Sequence, residues 1–253
     1  MKILCAFLFM AVAAVPGANL SMASETDNSA HAVLITGANR GLGLELARQY
    51  KEAGWQVIGT ARKPGAATAL QELGVKVVQL DVTDAESVAS MATELDGQPI
   101  DLLINNAGVL PMQDTLREAD IGTVAWTLDV NTLGPMRVSQ ALLPNLSAGD
   151  GKMIVSISSG LGSLELNSGG RFYGYRESKA ALNMFTRSLA SELRNDGFIV
   201  IVMDPGWVQT DMGGPSAPLT PEQSIRGVRA VIDGLAAEDT GTFKKHNGET
   251  VPW

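Results

Sequence analysis

From His31 onward, two periodicities alternate along the chain. Short apolar runs occur at Ala32-Val33-Leu34-Ile35, Val57-Ile58, Val75 to Leu80, Leu102-Leu103-Ile104, Met153-Ile154-Val155 and Ile199 to Met203. They are rich in β-branched residues and largely lack polar alternation, as strands buried on both faces do. Between them lie segments of helical period, in which Leu42, Leu46, Ala47 and Tyr50 share one face and Ala181, Phe185, Leu189 and Leu193 share another. Gly54, Gly74 and Gly197 stand where those helices should stop. The order predicts a single α/β domain over residues 30–253, a Rossmann-type doubly wound parallel sheet. Crossovers should be right-handed, with ligands at the carboxyl ends of the strands. No internal repeat, low-complexity tract or linker interrupts the pattern.

Residues 1–30 depart from it. Lys2 precedes an apolar run from Ile3 to Val15, then Pro16-Gly17, then Ser21-Met22-Ala23 with the small-x-small form of a cleavage site. This reads as a signal peptide over residues 1–23 and predicts an exported or periplasmic product. The run is shorter than the roughly 18 residues a spanning helix needs, so no stable membrane anchor is expected. Alternatively, residues 1–23 are a misassigned extension, translation starts at Met22 and the protein is cytoplasmic.

Composition narrows the chemistry. The 253 residues carry 19 Lys plus Arg against 27 Asp plus Glu, a net charge of −8, which leaves no basic footprint for nucleic acid or an anionic membrane. With one cysteine (Cys5) and two histidines (His31, His246), neither a disulfide framework nor a Cys/His zinc site is available, and no metal is expected. Any catalytic group must be Ser, Tyr, Lys, Asn or a carboxylate.

The first strand runs through Thr36-Gly37-Ala38-Asn39-Arg40-Gly41-Leu42-Gly43 directly into a helix. Gly37, Gly41 and Gly43 permit a tight turn and close backbone approach to a pyrophosphate, which the helix N-terminus then holds. No Gly-Lys-Ser or Gly-Lys-Thr follows, so a dinucleotide is expected rather than ATP. The second strand ends in Ala61-Arg62-Lys63, without the acid that grips the ribose 2′-hydroxyl of NAD. Arg62, with Arg40 reaching from the glycine loop, favours a 2′-phosphate, and hence NADP(H) over NAD(H).

Tyr175 and Lys179 are four residues apart and neighbours on one helix face, so the ammonium is expected to lower the phenol's pKa. Tyr173 has Glu177 as its i+4 partner, which would raise it. Ser156, Ser158 and Ser159 cluster after the fifth strand, with Ser158 and Ser159 on different faces. An α/β-hydrolase is not expected, since Ile157-Ser158 rather than Gly-x precedes Ser159.

Seven features in order complete the picture: the glycine loop, Asp81-Val82, Asn105-Asn106-Ala107-Gly108, Asn131, Ser159, Tyr175-Arg176-Glu177-Ser178-Lys179, and Pro205-Gly206-Trp207-Val208 with Thr210. Over residues 31–253 the chain resembles the short-chain dehydrogenase/reductase family. Gly206 to Gly214 and the terminal Pro252-Trp253 look like its branch of C-factor and sniffer-type carbonyl reductases.

The resemblance implies an oxidoreductase that interconverts a small carbonyl compound and its alcohol by hydride transfer. Tyr175 would be the acid/base, Lys179 would hold the nicotinamide ribose, Ser159 would bind the substrate oxygen and Asn131 would position a water. It favours Ser159 over Ser158. It also implies cofactor contacts from Gly37, Asn39, Arg40, Gly41, Leu42, Gly43, Arg62, Asp81, Val82, Asn106, Ala107, Gly108, Pro205, Gly206, Val208 and Thr210, and a homodimer or homotetramer formed through the long helix after Thr115 and the helix bearing Tyr175. Asn105 is read as a lock between strands and Asp84 as a helix cap. Trp207, Met212, Met112, Phe172 and Tyr173 are read either as core or as an apolar substrate pocket. The alternative function is a dinucleotide-binding signalling protein with little turnover.

Overall fold

The computed structural model describes residues 31–112 and 114–253, so the expectations about residues 1–23, and the choice between export and a start at Met22, lie outside the described residues. Seven strands, β1 (Ala32–Ile35), β2 (Gln56–Ala61), β3 (Lys76–Gln79), β4 (Leu102–Asn105), β5 (Met153–Ile157), β6 (Ile199–Asp204) and β7 (Phe243–Lys245), form one sheet in the order β3-β2-β1-β4-β5-β6-β7. Every pairing is parallel. The strand order reverses between β1 and β4, which opens a crevice at their carboxyl ends. β7 is absent from the apolar pattern because two of its three residues, Lys244 and Lys245, are charged.

Among the described residues, seven helices cover the two faces: α1 (Gly41–Glu52), α2 (Thr68–Glu72), α3 (Ala85–Glu94), α4 (Ile121–Leu128), α5 (Gly134–Ala148), α6 (Tyr175–Leu193) and α7 (Pro221–Asp233). Period-two alternation divides the strands between two cores. Val33, Ile35, Ile201 and Met203 pack with Leu46, Tyr50, Ile225 and Val228, whereas Leu34, Leu103, Ile154 and Val200 pack with Met91, Val138 and Leu142. Leu34 and Leu103 have no exposed surface; each such side chain contributes about 2 kcal/mol by leaving water. Gly54, Gly74 and Gly197 adopt φ of 85°, 63° and 82° just beyond α1, α2 and the turn after α6, where L side chains are disfavoured. Asp84 caps α3, its Oδ1 accepting from Glu86 N at 3.0 Å.

Two helices differ from the apolar reading. The inward face of α6 is Tyr175, Ser178, Lys179, Leu182, Asn183, Thr186, Ala190 and Leu193, while Ala181, Phe185 and Leu189 are only half-buried. The helix is turned by about one residue because its neighbours on β5 and the following loop are polar. Ser158 donates to Asn183 Oδ1 at 2.7 Å, and Thr186 donates to Ser156 Oγ at 3.0 Å. The long helix after Thr115 begins at Ile121 and is continuous through α4 and α5, but it contains a π-helical turn over Asp129–Leu133 that carries Asn131 inward. Such turns recur at functional sites.

Candidate active site

The glycine loop is shaped by close contact. Gly37 and Gly41 have φ of 65° and 55°. A Cβ on Gly43 would lie 2.3 Å from the Gly37 carbonyl oxygen and 2.6 Å from Asn106 Nδ2, closer than any side chain tolerates. α1 begins after Arg40 with no side chain capping it, whereas α3, α4 and α7 are capped by Asp84, Asp120 and Thr220. Its first N–H groups therefore face the crevice, which suits the diphosphate of a dinucleotide.

Thr36, which the sequence reading did not select, joins this loop to the next. Its hydroxyl accepts from Asn106 N at 2.9 Å and Ala107 N at 3.0 Å, and Asn106 Nδ2 donates to the carbonyls of Thr36 and Gly37 at 2.8 and 3.2 Å. Asn106, not Asn105, is thus the lock between the two strand ends. Asn105 instead donates to Ser139 Oγ on α5 at 3.1 Å. The Ala107 Cα lies 3.0 Å from where a Gly37 Cβ would stand, so the two loops form one wall.

At the end of β2, Arg62 is exposed, and its charge reaches Asp81 beyond β3. Burial would raise the Asp81 carboxyl, but hydrogen bonds from Thr83 and the charge of Arg62 outweigh it and hold the pKa below the usual value. Val82 is buried, with its carbonyl accepting from Arg137 Nη1 at 3.2 Å. Arg40 is exposed and has an acidic partner. It pairs with Asp211, Nη1 to Oδ2 at 3.1 Å, an acid that lies 171 residues away in sequence.

Tyr175 opens α6 after Gly174, whose φ is 82° and whose N–H donates to Glu177 Oε2 at 2.6 Å, so Glu177 serves as a cap. The Tyr175 ring is buried with Ser159 within hydrogen-bonding reach of its hydroxyl. The Lys179 ammonium lies 5.8 Å from the ring centroid and donates to the Ile157 carbonyl at 2.9 Å. The expected lowering of the phenol's pKa is not found in the protein alone. Burial pushes Tyr175 up to about 12, eased by Ser159 and reinforced by the charge of Asp204. Burial also brings Lys179 down to about 8. Desolvation of both groups exceeds the effect of the ammonium on the phenol.

Of the three clustered serines, Ser156 and Ser158 face Thr186 and Asn183, and Ser159 alone lies beside Tyr175. Asn131 is fully buried. Its Oδ1 accepts from Val109 N at 2.8 Å, and its Nδ2 donates to Val109 O at 2.9 Å and Ser178 Oγ at 3.0 Å. A Cβ on Gly108 would stand 3.3 Å from Asn131 Oδ1 and 3.6 Å from Lys179 Nζ, so Asn131, Gly108 and Lys179 enclose one small space. Ser178 was not singled out by the sequence reading. No local pattern marks it, since Ser178, Asn183 and Thr186 are buried through polar partners far along the chain.

Beyond β6, Gly206 has φ of 79° and donates to Asp204 Oδ1 at 2.9 Å, while Pro205 O accepts from Ser224 Oγ at 2.7 Å. Val208 is buried, and Thr210 Oγ1 accepts from Gly213 N at 3.2 Å. Met112, Trp207 and Met212 are exposed, and Phe172 and Tyr173 are half-buried, so none of the five belongs to the core. Among the described residues, no group of three or more His, Cys, Asp or Glu could hold a metal ion, and no helix is long and apolar enough to cross a membrane.

A parallel sheet with a glycine-lined groove at its switch point, and a buried tyrosine and lysine with a half-buried serine beside it, defines an oxidoreductase of the nucleotide-binding α/β type. The short chain dehydrogenase family model matches residues 31–218, and the chain belongs to the short-chain dehydrogenase/reductase family, whose members are NAD(P)-dependent oxidoreductases. It is 46% identical to C-signal of Myxococcus xanthus over 164 residues, 65% of this chain and 99% of that one. Among solved structures it is similar to the carbonyl reductase Sniffer of D. melanogaster, with a TM-score of 0.84 and 32% identity over 88% of this chain and 100% of that one. It is also similar to the NADPH-bound carbonyl reductase from chicken fatty liver, with a TM-score of 0.83 and 33% identity over 88% of this chain and 99% of that one.

Proposed function

We propose that the protein interconverts a small carbonyl compound and its alcohol with NADP(H), with Tyr175 as acid in reduction and base in oxidation. The observation that carries this reading is the Tyr175 hydroxyl in reach of Ser159, with the Lys179 ammonium 5.8 Å from its ring, at the strand ends beside the glycine-lined groove. The bound nicotinamide supplies or accepts the hydride. Ser159 donates to the substrate oxygen and holds it against Tyr175. A phenol pushed up to about 12 stays protonated at neutral pH, the form that reduction needs, and gives its proton to the more basic alkoxide. Lys179 binds the ribose hydroxyls, and its charge steadies the phenolate left behind. Asn131 holds Val109 and Ser178 around Lys179 and positions the water that returns its proton from solvent. Arg62, the lack of an acid after β2, and the NADPH-bound state of the chicken relative support NADP(H) over NAD(H).

The test is loss of NADPH absorbance with aldehydes, ketones and diketones, with NADH in parallel and Tyr175→Phe as control. Turnover lost in the variant supports the reading. The likeness to C-signal supports a second one, a dinucleotide-binding signalling protein. NADPH binding with no reduction, identical in the variant, would favour it.

For assembly we propose a homodimer or homotetramer through the α4–α5 and α6 faces. There Trp126, Leu133, Met136 and Met184 are 40% to 67% exposed, an apolar cluster suited to a second copy. Light scattering that gives a monomer mass for the native protein overturns this.

A further inference from the structure

Asp204 is the charged residue nearest the proposed chemistry that has no part in it so far. It ends β6 one strand over from Ser159, since Ile157 pairs with Met203 and Ser158 N donates to Met203 O at 2.8 Å. Strand alternation puts its side chain on the face of Val200 and Val202, toward α6, away from Ile201 and Met203. Asp204 is 9% exposed. Its Oδ1 accepts from Gly206 N, while its Oδ2 faces Gly160, 3.2 Å from where a Cβ would stand there, and has no protein donor. Among the described residues, no Lys, Arg or His pairs with it. Capping Gly206 needs one neutral oxygen, which Asn or Ser supplies. Oδ2 is not among the fully buried atoms that lack a partner, so it opens outward and is free to accept a hydrogen bond from a molecule that enters the site. Trp207 and Met212, in the segment that follows Asp204, and Met112, after β4, are exposed and apolar. Orientation in such a pocket falls to its few polar groups.

Building on the reductase reading above, we propose that Asp204 recognises the substrate. Its free Oδ2 accepts a hydrogen bond from an N–H or O–H group on the carbon beside the reacting carbonyl. The site then takes uncharged α-amido or α-hydroxy carbonyl compounds and rejects α-keto acids, whose carboxylate would meet the like charge of Asp204.

Pyruvate and 2-oxopropanamide have the same shape and differ in charge and N–H donors. Native enzyme should show a kcat/KM with NADPH at least about tenfold higher for the amide. Asp204→Asn keeps the acceptor for Gly206 and loses the charge, so the ratio should fall toward unity, with NADPH affinity from fluorescence reporting an intact fold. Asp204→Ser should do the same. A native ratio near one, or a ratio unchanged in both variants, overturns the proposal.

Calorimetry of lactamide and lactate binding to the NADP+-saturated protein gives a readout independent of turnover. Preference for lactamide that Asp204→Asn abolishes, without reduction of either keto compound, supports Asp204 and counts against the reductase reading. Reduction of both compounds without discrimination does the opposite.

Discussion

Arg40 and Asp211 form an ion pair 3.1 Å long that ties the glycine loop to the segment after β6 across the proposed cofactor groove. Their side chains are 70% and 82% exposed, so the pair itself contributes little to stability. Its interest lies in competition, because a guanidinium held by Asp211 is withheld from a 2′-phosphate. Asp211→Asn is therefore expected to tighten NADPH binding about two- to fivefold, the span that a weak exposed pair allows. Arg40→Ala should weaken NADPH binding and leave NADH nearly unchanged. Fluorescence titration with both cofactors checks this, and equal effects on the two would remove Arg40 from 2′-phosphate recognition.

The buried lysine makes stability depend on pH. Lys179 sits at about 8 in the fold against 10.5 in an exposed chain, so between those values the unfolded chain binds more protons and stability rises with pH. Below about 8 the full penalty is present, and above 10.5 it vanishes. Lys179→Met removes the titration. Between pH 7.5 and 9.5 the native protein should gain on the order of 2 kcal/mol relative to that variant in denaturant melts. Parallel profiles would show that the ammonium is compensated inside the fold. Tyr175 does not blur this window, since a phenol raised to about 12 weakens the fold only as pH climbs above its ordinary 10.

Ser158 and Ser159 are adjacent and should fail in different ways. Ser158→Ala leaves the buried Asn183 Oδ1 without its donor, a loss of about 1–3 kcal/mol in stability, and should spare kcat. Ser159→Ala removes a donor aimed at the substrate oxygen and should lower kcat about a hundredfold or more while hardly moving the melting temperature. Melts and steady-state kinetics on the two variants separate the roles, and the reverse pattern would move the active serine to position 158.

That contrast shows where sequence ran out. Six of the strands, the glycine-loop helix and the α3 cap were legible because burial on both faces, tight turns and capping each leave a local residue signature. β7 was not, because its three residues depend on pairing with Val202, Met203 and Asp204 rather than on their own apolarity. The inward face of α6 was misplaced for a related reason. Ser178, Asn183 and Thr186 are buried by hydrogen-bonding partners far along the chain, and no local period reports them. Arg40 and Asp211, 171 residues apart, meet only in three dimensions. The Tyr175–Lys179 spacing gave the right neighbours and the wrong balance of forces, since spacing carries the Coulomb effect and not the desolvation.

Trp253 bears on the substrate side of the cleft. Its carbonyl oxygen accepts from Leu164 N at 2.6 Å, Ser163 Oγ at 3.1 Å and Glu165 N at 3.3 Å, fixing the segment that starts four residues after Ser159. Its ring packs on Phe243 with centroids 5.6 Å apart, and the Arg187 guanidinium lies 5.0 Å from its centroid. The ring holds the carbonyl in place together with Val251, which is buried and whose N–H donates to the Phe243 carbonyl at 2.7 Å. Trp253→Ala should therefore loosen residues 163–166 and raise KM for carbonyl substrates several-fold. Cofactor affinity should stay unchanged, since residues 163–166 belong to none of the segments assigned to the dinucleotide. Arg187→Ala removes only the cation above the ring, worth about 0.5–1 kcal/mol at an exposed site, and should give a fraction of the same effect. Hydrogen exchange at Leu164 and Glu165, read alongside KM in both variants, checks the chain of cause. Faster exchange with an unchanged KM would show that this segment does not touch the substrate.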